Sequence, residues 1–494
     1  MKYILTALAI LTLALYSCSR DDDFATDTDD LLEFSTDTLR FDTVFTTLGS
    51  ATRSIKIFNP HKEQILIDKI YFEKGGNTKF RMNVDGLPGA VAERVKILAK
   101  DSIYIFMEVT IDPNDINSPF VVHENLLLET NGSTQAVVLE AWGQNANYVP
   151  NQFNNGGSAE LSCNGGEIVW DDEKPYVIFG ALVIDECTLV IKEGTQIYVH
   201  GGLESFLQGD TLKQFYNDGR IFTTEFGSIR IEGTYENPVT IQGDRLEEPF
   251  QETAGQWFGI ILSAGSKGNV FDYVTVKNAV IGVAVDSTAE LNTSYSTYYN
   301  TSSVGLYGIN ATINADNCLF YSNGGGGVAL LEGGDYNFNY CTMASYGVDA
   351  DALSFSDVLC FGSPIPCSEF YSNNLFARFN NCIISGSRAD EVAPFYFDVG
   401  VTTFDYEFNN CIIKLDEVLT DGEYTDFLDF CNDCIIIENS DNLFVDESDG
   451  DYHLDTLSVA EGKAMPLPML LVDLDNVDRD MDTADMGCYE YLYE

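Results

Sequence analysis

Asp349-Ala350-Asp351 sets two carboxylates at i and i+2, on one side of a β-strand. Two carboxyl groups ~5–9.5 Å apart are what glycoside hydrolysis requires. The chain holds 77 Asp and Glu among 494 residues, so such pairs recur by chance and an exposed acidic loop is the plainer expectation. A lyase acting on uronates needs instead a strong base, usually Lys, Arg or His, beside a cation that acidifies the substrate proton. Between 257 and 440 the basic residues are Lys267, Lys277, Arg378, Arg388 and Lys414, scattered without a local motif. No histidine lies between 201 and 452, so the cysteines of that stretch lack an imidazole to form a reactive thiolate.

Residues 345–375 carry Phe355, Phe361, Phe370 and Tyr371, rings of the kind that stack on sugars. Long loops on rigid scaffolds often carry binding function, which makes these four the candidate binding residues. Cys360 and Cys367 are spaced to close a small disulfide loop, and Cys163 and Cys187 to bridge adjacent segments. Cys431-x-x-Cys434 has no second pair and is weak as a zinc site. Asp473, Asp475, Asp478, Asp480 and Asp482 match no EF-hand spacing, so a structural turn is expected there. No cofactor is assigned; a structural Ca2+ is the ion the acidic composition suits. His61 and His123 have no clustered ligands nearby and read as solvated.

The element that must carry these groups is legible in a repeat. Asn317-Cys318-Leu319-Phe320, Tyr340-Cys341-Thr342-Met343, Asn381-Cys382-Ile383-Ile384, Asn410-Cys411-Ile412-Ile413 and Asp433-Cys434-Ile435-Ile436 follow at intervals of 23, 41, 29 and 23 residues. A period of ~20–25 residues made of short apolar triplets marks a solenoid, here a three-sided parallel β-helix. The 41-residue step holds either a long loop or an extra coil. Stacked coils place equivalent residues ~4.8 Å apart, so the cysteines are expected to form an interior packing ladder, with the adjoining Asn residues at the bends. A second insertion is expected at about 201–220, beginning near His200.

The net charge of −51 excludes nucleic acid, which demands a basic patch. Lys2, an apolar run from Tyr3 to Tyr16 and then Ser17-Cys18 form the pattern of a secretory signal, too short to span a bilayer. Leu15-Tyr16-Ser17-Cys18 resembles a bacterial lipobox, and Ser19-Arg20-Asp21-Asp22-Asp23 resembles the surface-export signal of Bacteroidetes-type lipoproteins. Those resemblances imply lipidation at Cys18, outer-membrane anchoring and cell-surface exposure. Setting Cys18 aside leaves 11 cysteines, an odd number, so at least one is not paired within the chain.

Residues 31–142 show period-two alternation, as in Ser54-Ile55-Lys56-Ile57 and Ser102-Ile103-Tyr104-Ile105, with turn residues between. Phe34, Phe45, Phe58-Asn59-Pro60 and Trp142 resemble the immunoglobulin-like modules that open many Bacteroidetes surface lipoproteins. Gly233-Thr234, Asn237-Pro238-Val239-Thr240-Ile241 and Gly255-Gln256-Trp257-Phe258-Gly259-Ile260 resemble the opening coils of Bacteroidetes right-handed β-helix proteins. Asp485-Met486-Gly487-Cys488-Tyr489-Glu490 resembles their terminal strand. The Gly-His-Gly and Arg-Ile-Lys strings of polygalacturonases are absent.

The reading is an all-β chain. It comprises a lipoprotein signal peptide (1–17), an acidic tether (18–30), an immunoglobulin-like β-sandwich (31–142), a linker (143–164) and a right-handed parallel β-helix (165–494). Its expected role is to present the helix face to an extracellular glycan or surface protein. A polysaccharide lyase or glycoside hydrolase is the alternative.

Overall fold

The computed structural model describes residues 23–46, 49–112, 120–149, 158–208, 212–248, 250–361, 369–396, 402–416, 426–438 and 441–492, without the side chains of 203–217, 361 and 369. The signal segment and Cys18 lie outside the described residues. Among those described, structure is all-β but for two short 3-10 turns, Gly75–Asn77 and Phe427–Phe430. The chain divides into two compact units after Asn145.

The first unit pairs two five-stranded sheets, one wholly antiparallel and one whose Thr38–Phe45 strand runs parallel to Ser133–Gln144. Alternation does the work the sequence suggests. Ser102–Val109 buries every second side chain, and Ile55, Ile57 and Ile105 meet Ile67, Ile70, Leu126 and Leu139 in one core.

The second unit is a parallel β-helix with three strands per coil. The first face stacks Gly259–Leu262, Val283–Val285, 306–309, 328–331, Leu353–Ser356 and Val392–Phe395. The second stacks Asn269–Asp272, Glu290–Ser294, 311–316, 334–339, Leu375–Asn380 and Phe404–Asn409. The third stacks Val274–Lys277, Thr297–Tyr299, Leu319–Tyr321, Thr342–Ser345, Ile383–Gly386, Ile412–Lys414 and Ile435–Ile437.

The bend between the second and third faces explains the repeat. Tyr273, Tyr295, Asn317, Tyr340, Asn381, Asn410 and Asp433 all adopt φ of 48–56°, a left-handed conformation that Asn and Asp tolerate best. Just before the bend, Asn432 donates to Asn409, Asn409 to Asn380, Asn380 to Asn339 and Asn339 to Asp316, at 2.7–3.0 Å. Just after it, Cys318, Cys341, Cys382 and Cys411 are wholly buried and Cys434 half-buried. From the second sulfur onward, each thiol donates to a carbonyl of the coil before it: Ala315, Phe338, Phe379 and Phe408 at 3.3–3.5 Å. These thiols are packing groups.

Two expectations need correction, and one open alternative is decided. The expected 143–164 linker is in part strand, because Asn147–Val149 and Ser158–Trp170 already pair in parallel with the first full coil, the residues between them lying outside the described set. The 41-residue step holds a hairpin, Val358–Phe361 with Glu369–Ser372, and no extra coil. The terminal segment Asp485 to Glu490 forms no strand. Residues 441–492 instead cover the outer side of the third face, where Phe444, Tyr452, Leu454, Met486 and Cys488 pack on Leu319, Ile383 and Ile412. Arg479 fastens this cover. It is fully buried, pairs with Glu490 at 2.8 Å, donates to Asn317 at 2.6 Å and lies 3.8 Å from the Tyr340 ring centre.

Candidate functional site

The first face carries the candidate site. Along it the outward side chains in register are Ile261, Ala284, Tyr307, Ala329, Ser354 and Ala393. Four of the six are alanine or serine, so they form a strip of small side chains in which Ile261 and Tyr307 are the large ones.

Glycine shapes one edge. A Cβ on Gly259 would sit 1.9 Å from the Ile281 carbonyl oxygen, and one on Gly282 2.3 Å from that of Gly305. Only glycine lets the coils close there. Ala352 and then Glu391 continue this column in the last two coils. Glu391 is fully buried, and burial pushes its carboxyl up to about 7 despite N–H bonds from Arg388 at 2.7 Å and Ala352 at 3.0 Å. Just outside it, the Arg388 guanidinium holds Asp349 at 2.9 Å and Asp351 at 3.0 Å. The acid pair picked out by spacing is therefore bridged by one cation. Burial raises Asp351, which Arg388 opposes. Both carboxylates are engaged by one guanidinium at the rim, and Asp349 is almost wholly exposed, so the pair matches the acidic loop and no catalytic role is carried forward for Asp349 and Asp351.

The opposite edge is built around the hairpin. Asn373 donates its N–H to the Asp357 carbonyl at 3.0 Å, closing the hairpin base, and its side chain to Glu332 at 3.1 Å. Glu332 itself is left-handed (φ 63°) at a bulge before Gly333-Gly334. Burial and the nearby Asp286 raise its carboxyl, and burial, Asp286 and Glu332 raise Tyr307. Asp286 and Glu332 end strands two coils apart, about 10 Å by strand spacing.

Of the four predicted aromatics, Phe370 and Tyr371 project from the hairpin, 43% and 60% exposed. Phe361 ends the paired strand, and its side chain is outside the described set. Phe355 is a correction. It faces the interior beside Phe379, Phe404 and Tyr406, because Leu353-Ser354-Phe355-Ser356 is a strand with alternate residues inward. Phe395, at the end of the strand paired with Leu353–Ser356, and Tyr396 just after it, neither singled out from sequence, are 49% and 39% exposed. Tyr307 and Glu332 were missed as well; the Glu-Gly-Gly string was the signal that marks the bulge.

Cys360 is disulfide-bonded, and its expected partner Cys367 lies outside the described residues. Cys163 and Cys187 form a disulfide. The 201–220 insertion is a hairpin, Leu203–Gln208 with Leu212–Asn217. No group of three metal-ligating side chains occurs among the described residues. Asp473, proposed as a turn acid, is buried and accepts N–H bonds from Asp475, Val477 and Glu490 at 2.8–2.9 Å.

No protein-family model matches the chain, and no curated protein does. Among solved structures it is similar to the catalytic domain of a GH87 alpha-1,3-glucanase in complex with nigerose, at 9% identity over 74% of this chain and 82% of that one, with a TM-score of 0.21. It is also similar to the ASH / PapD-like domain of human CEP192, at 6% identity over 24% of this chain and 89% of that one, with a TM-score of 0.17. At these values neither likeness carries an argument about fold or ligand.

Proposed function

We propose that this chain is an exported, lipid-anchored surface protein of the Bacteroidetes type whose right-handed β-helix binds an extracellular glycan without cleaving it. Its first unit is an immunoglobulin-like module. Cys18 is the lipid attachment point, and the acidic string Asp21-Asp22-Asp23 directs it to the cell surface. The observation that carries the binding reading is the hairpin. It stands beside a strip of small side chains with Phe370 and Tyr371 exposed, and Phe395, which ends the neighbouring strand, and Tyr396 just after it are exposed as well. Rigid aromatic rings beside polar donors and acceptors are what a sugar chain requires.

The test is a glycan array with product analysis, using the chain from Ser19 onward, which retains every described residue. Binding without new reducing ends, weakened at least tenfold in Tyr371→Ala, is the expected outcome. A glycosidase reading has one observation in its favour, the raised Glu332 carboxyl beside Tyr307 and Asp286. Hydrolysis that disappears in Glu332→Gln would replace binding with catalysis.

A further inference from the structure

The first unit holds a cavity of about 290 Å3 that plays no part in the reading above. Its polar feature is Glu124, which falls on the inward side of the alternating strand Phe120–Thr130 and is only 3% exposed. One carboxyl oxygen accepts N–H bonds from Lys74 at 3.2 Å and Asn125 at 3.0 Å. The other, Oε2, is buried and has no hydrogen-bond partner. A buried acceptor without a donor is costly, and Glu124 is one of the residues that line the cavity.

The remaining wall is defined by packing and charge. The far end of the Phe120 ring packs against Gly143, where a Cβ would come within 2.6 Å of it, and Phe80 adds a second aromatic surface. Two ammonium groups sit at the cavity, each engaged: Lys74 with the His123 carbonyl and Lys79 with Asp112. A cationic ligand meets those lysines, and an anionic one meets Glu124. A neutral molecule rich in hydroxyl donors meets neither obstacle. Its C–H face also suits a phenyl ring, and the volume lies at the small end of ligand pockets.

We infer that this cavity is a binding site for a single neutral sugar ring, with Glu124 Oε2 accepting from a ligand hydroxyl and Phe120 lying under the ring. The site is independent of the hairpin on the β-helix.

The experiment is saturation-transfer NMR and calorimetry on the chain from Ser19 onward, with glucose, galactose, mannose and N-acetylglucosamine as probes. At least one binds with millimolar or tighter Kd. Glu124→Gln, which turns the bare acceptor into a donor, weakens that binding at least tenfold. Asn77→Trp, an exposed cavity-lining substitution that leaves the carboxyl untouched, does the same and keeps the test decisive should the Gln variant not fold. Tyr371→Ala leaves monosaccharide binding unchanged, which separates this site from the hairpin. No binding of any probe at 20 mM overturns the inference, as does binding that survives both cavity substitutions. Preferential binding of methylammonium over every sugar overturns it too, in favour of a cation site.

Discussion

Cysteine does two different jobs in this chain, and burial separates them. Cys382 sits mid-column between Cys341 and Cys411, wholly buried and bonded to the Phe338 carbonyl, whereas Cys431 is half-exposed at the open end. Trimming a buried side chain leaves a void that rigid neighbours cannot fill. Cys382→Ala should therefore cost about 1–2 kcal/mol, read as a lower urea midpoint with an unchanged slope, and Cys431→Ala much less. Equal effects would mean the column is not a packing device. Glu391 makes the complementary case for a polar group in the same wall. Its folded carboxyl titrates near 7, above an ordinary glutamate. The native state thus holds a proton that the unfolded state releases, and stability falls as pH rises from about 4.5 through 7. Glu391→Gln should flatten the dependence of melting temperature on pH between 5 and 8. An unchanged slope would assign that dependence to other groups.

Strands and loops were legible to different degrees. The coil could be read because its bend has a local signature: an Asn that ladders, a left-handed residue and a small thiol, all within three positions. The strip of small side chains on the first face could not, since Ala284, Tyr307, Ala329 and Ser354 become neighbours only through register between coils some 22–25 residues apart. Phe355 was misread for the same reason, its strand being concealed inside a stretch that looks like a loop. The hairpin is the element most cleanly separable from the rest. Its base is already closed by the Asn373–Asp357 bond, so replacing 358–372 with a two-glycine link should leave the circular dichroism unchanged while glycan binding disappears. Binding that survives would move the site elsewhere on the helix. The terminal cover is the opposite kind of element. Removing one partner of the buried Arg479–Glu490 pair strands a charge, at a cost of about 3–5 kcal/mol, so Arg479→Met should release 441–492 to proteolysis. Adding Glu490→Leu should restore much of the loss, and failure to do so would place Arg479's importance in its Tyr340 and Asn317 contacts instead.

The net charge of −51 binds these local effects together. Burial raises the carboxyls of Asp272, Asp316, Asp351, Asp473, Asp485 and Glu490 as well as Glu391. In each, the folded chain binds its proton more tightly than the unfolded one, so each contributes stability that grows as pH falls toward the ordinary carboxylate range. His453, held between Asp451 and Asp475 at 2.6 and 2.9 Å, is raised to about 9. Its contribution is complete below about 6.5 and is lost as pH climbs through 9, which is the same direction. Self-repulsion among the remaining surface acids also eases on acidification. All three effects have one sign, so the melting temperature should rise steadily from pH 9 to pH 5. Only the repulsion is long-range and open to screening. Raising NaCl from 50 to 500 mM should therefore stabilise the chain most at pH 9 and least at pH 5, while Glu391→Gln should reduce the pH effect without altering the salt effect. Scanning calorimetry across that grid of pH and salt measures both together. A stability maximum at or above pH 8 would contradict the buried acids, and a salt effect independent of pH would contradict the role given to surface charge.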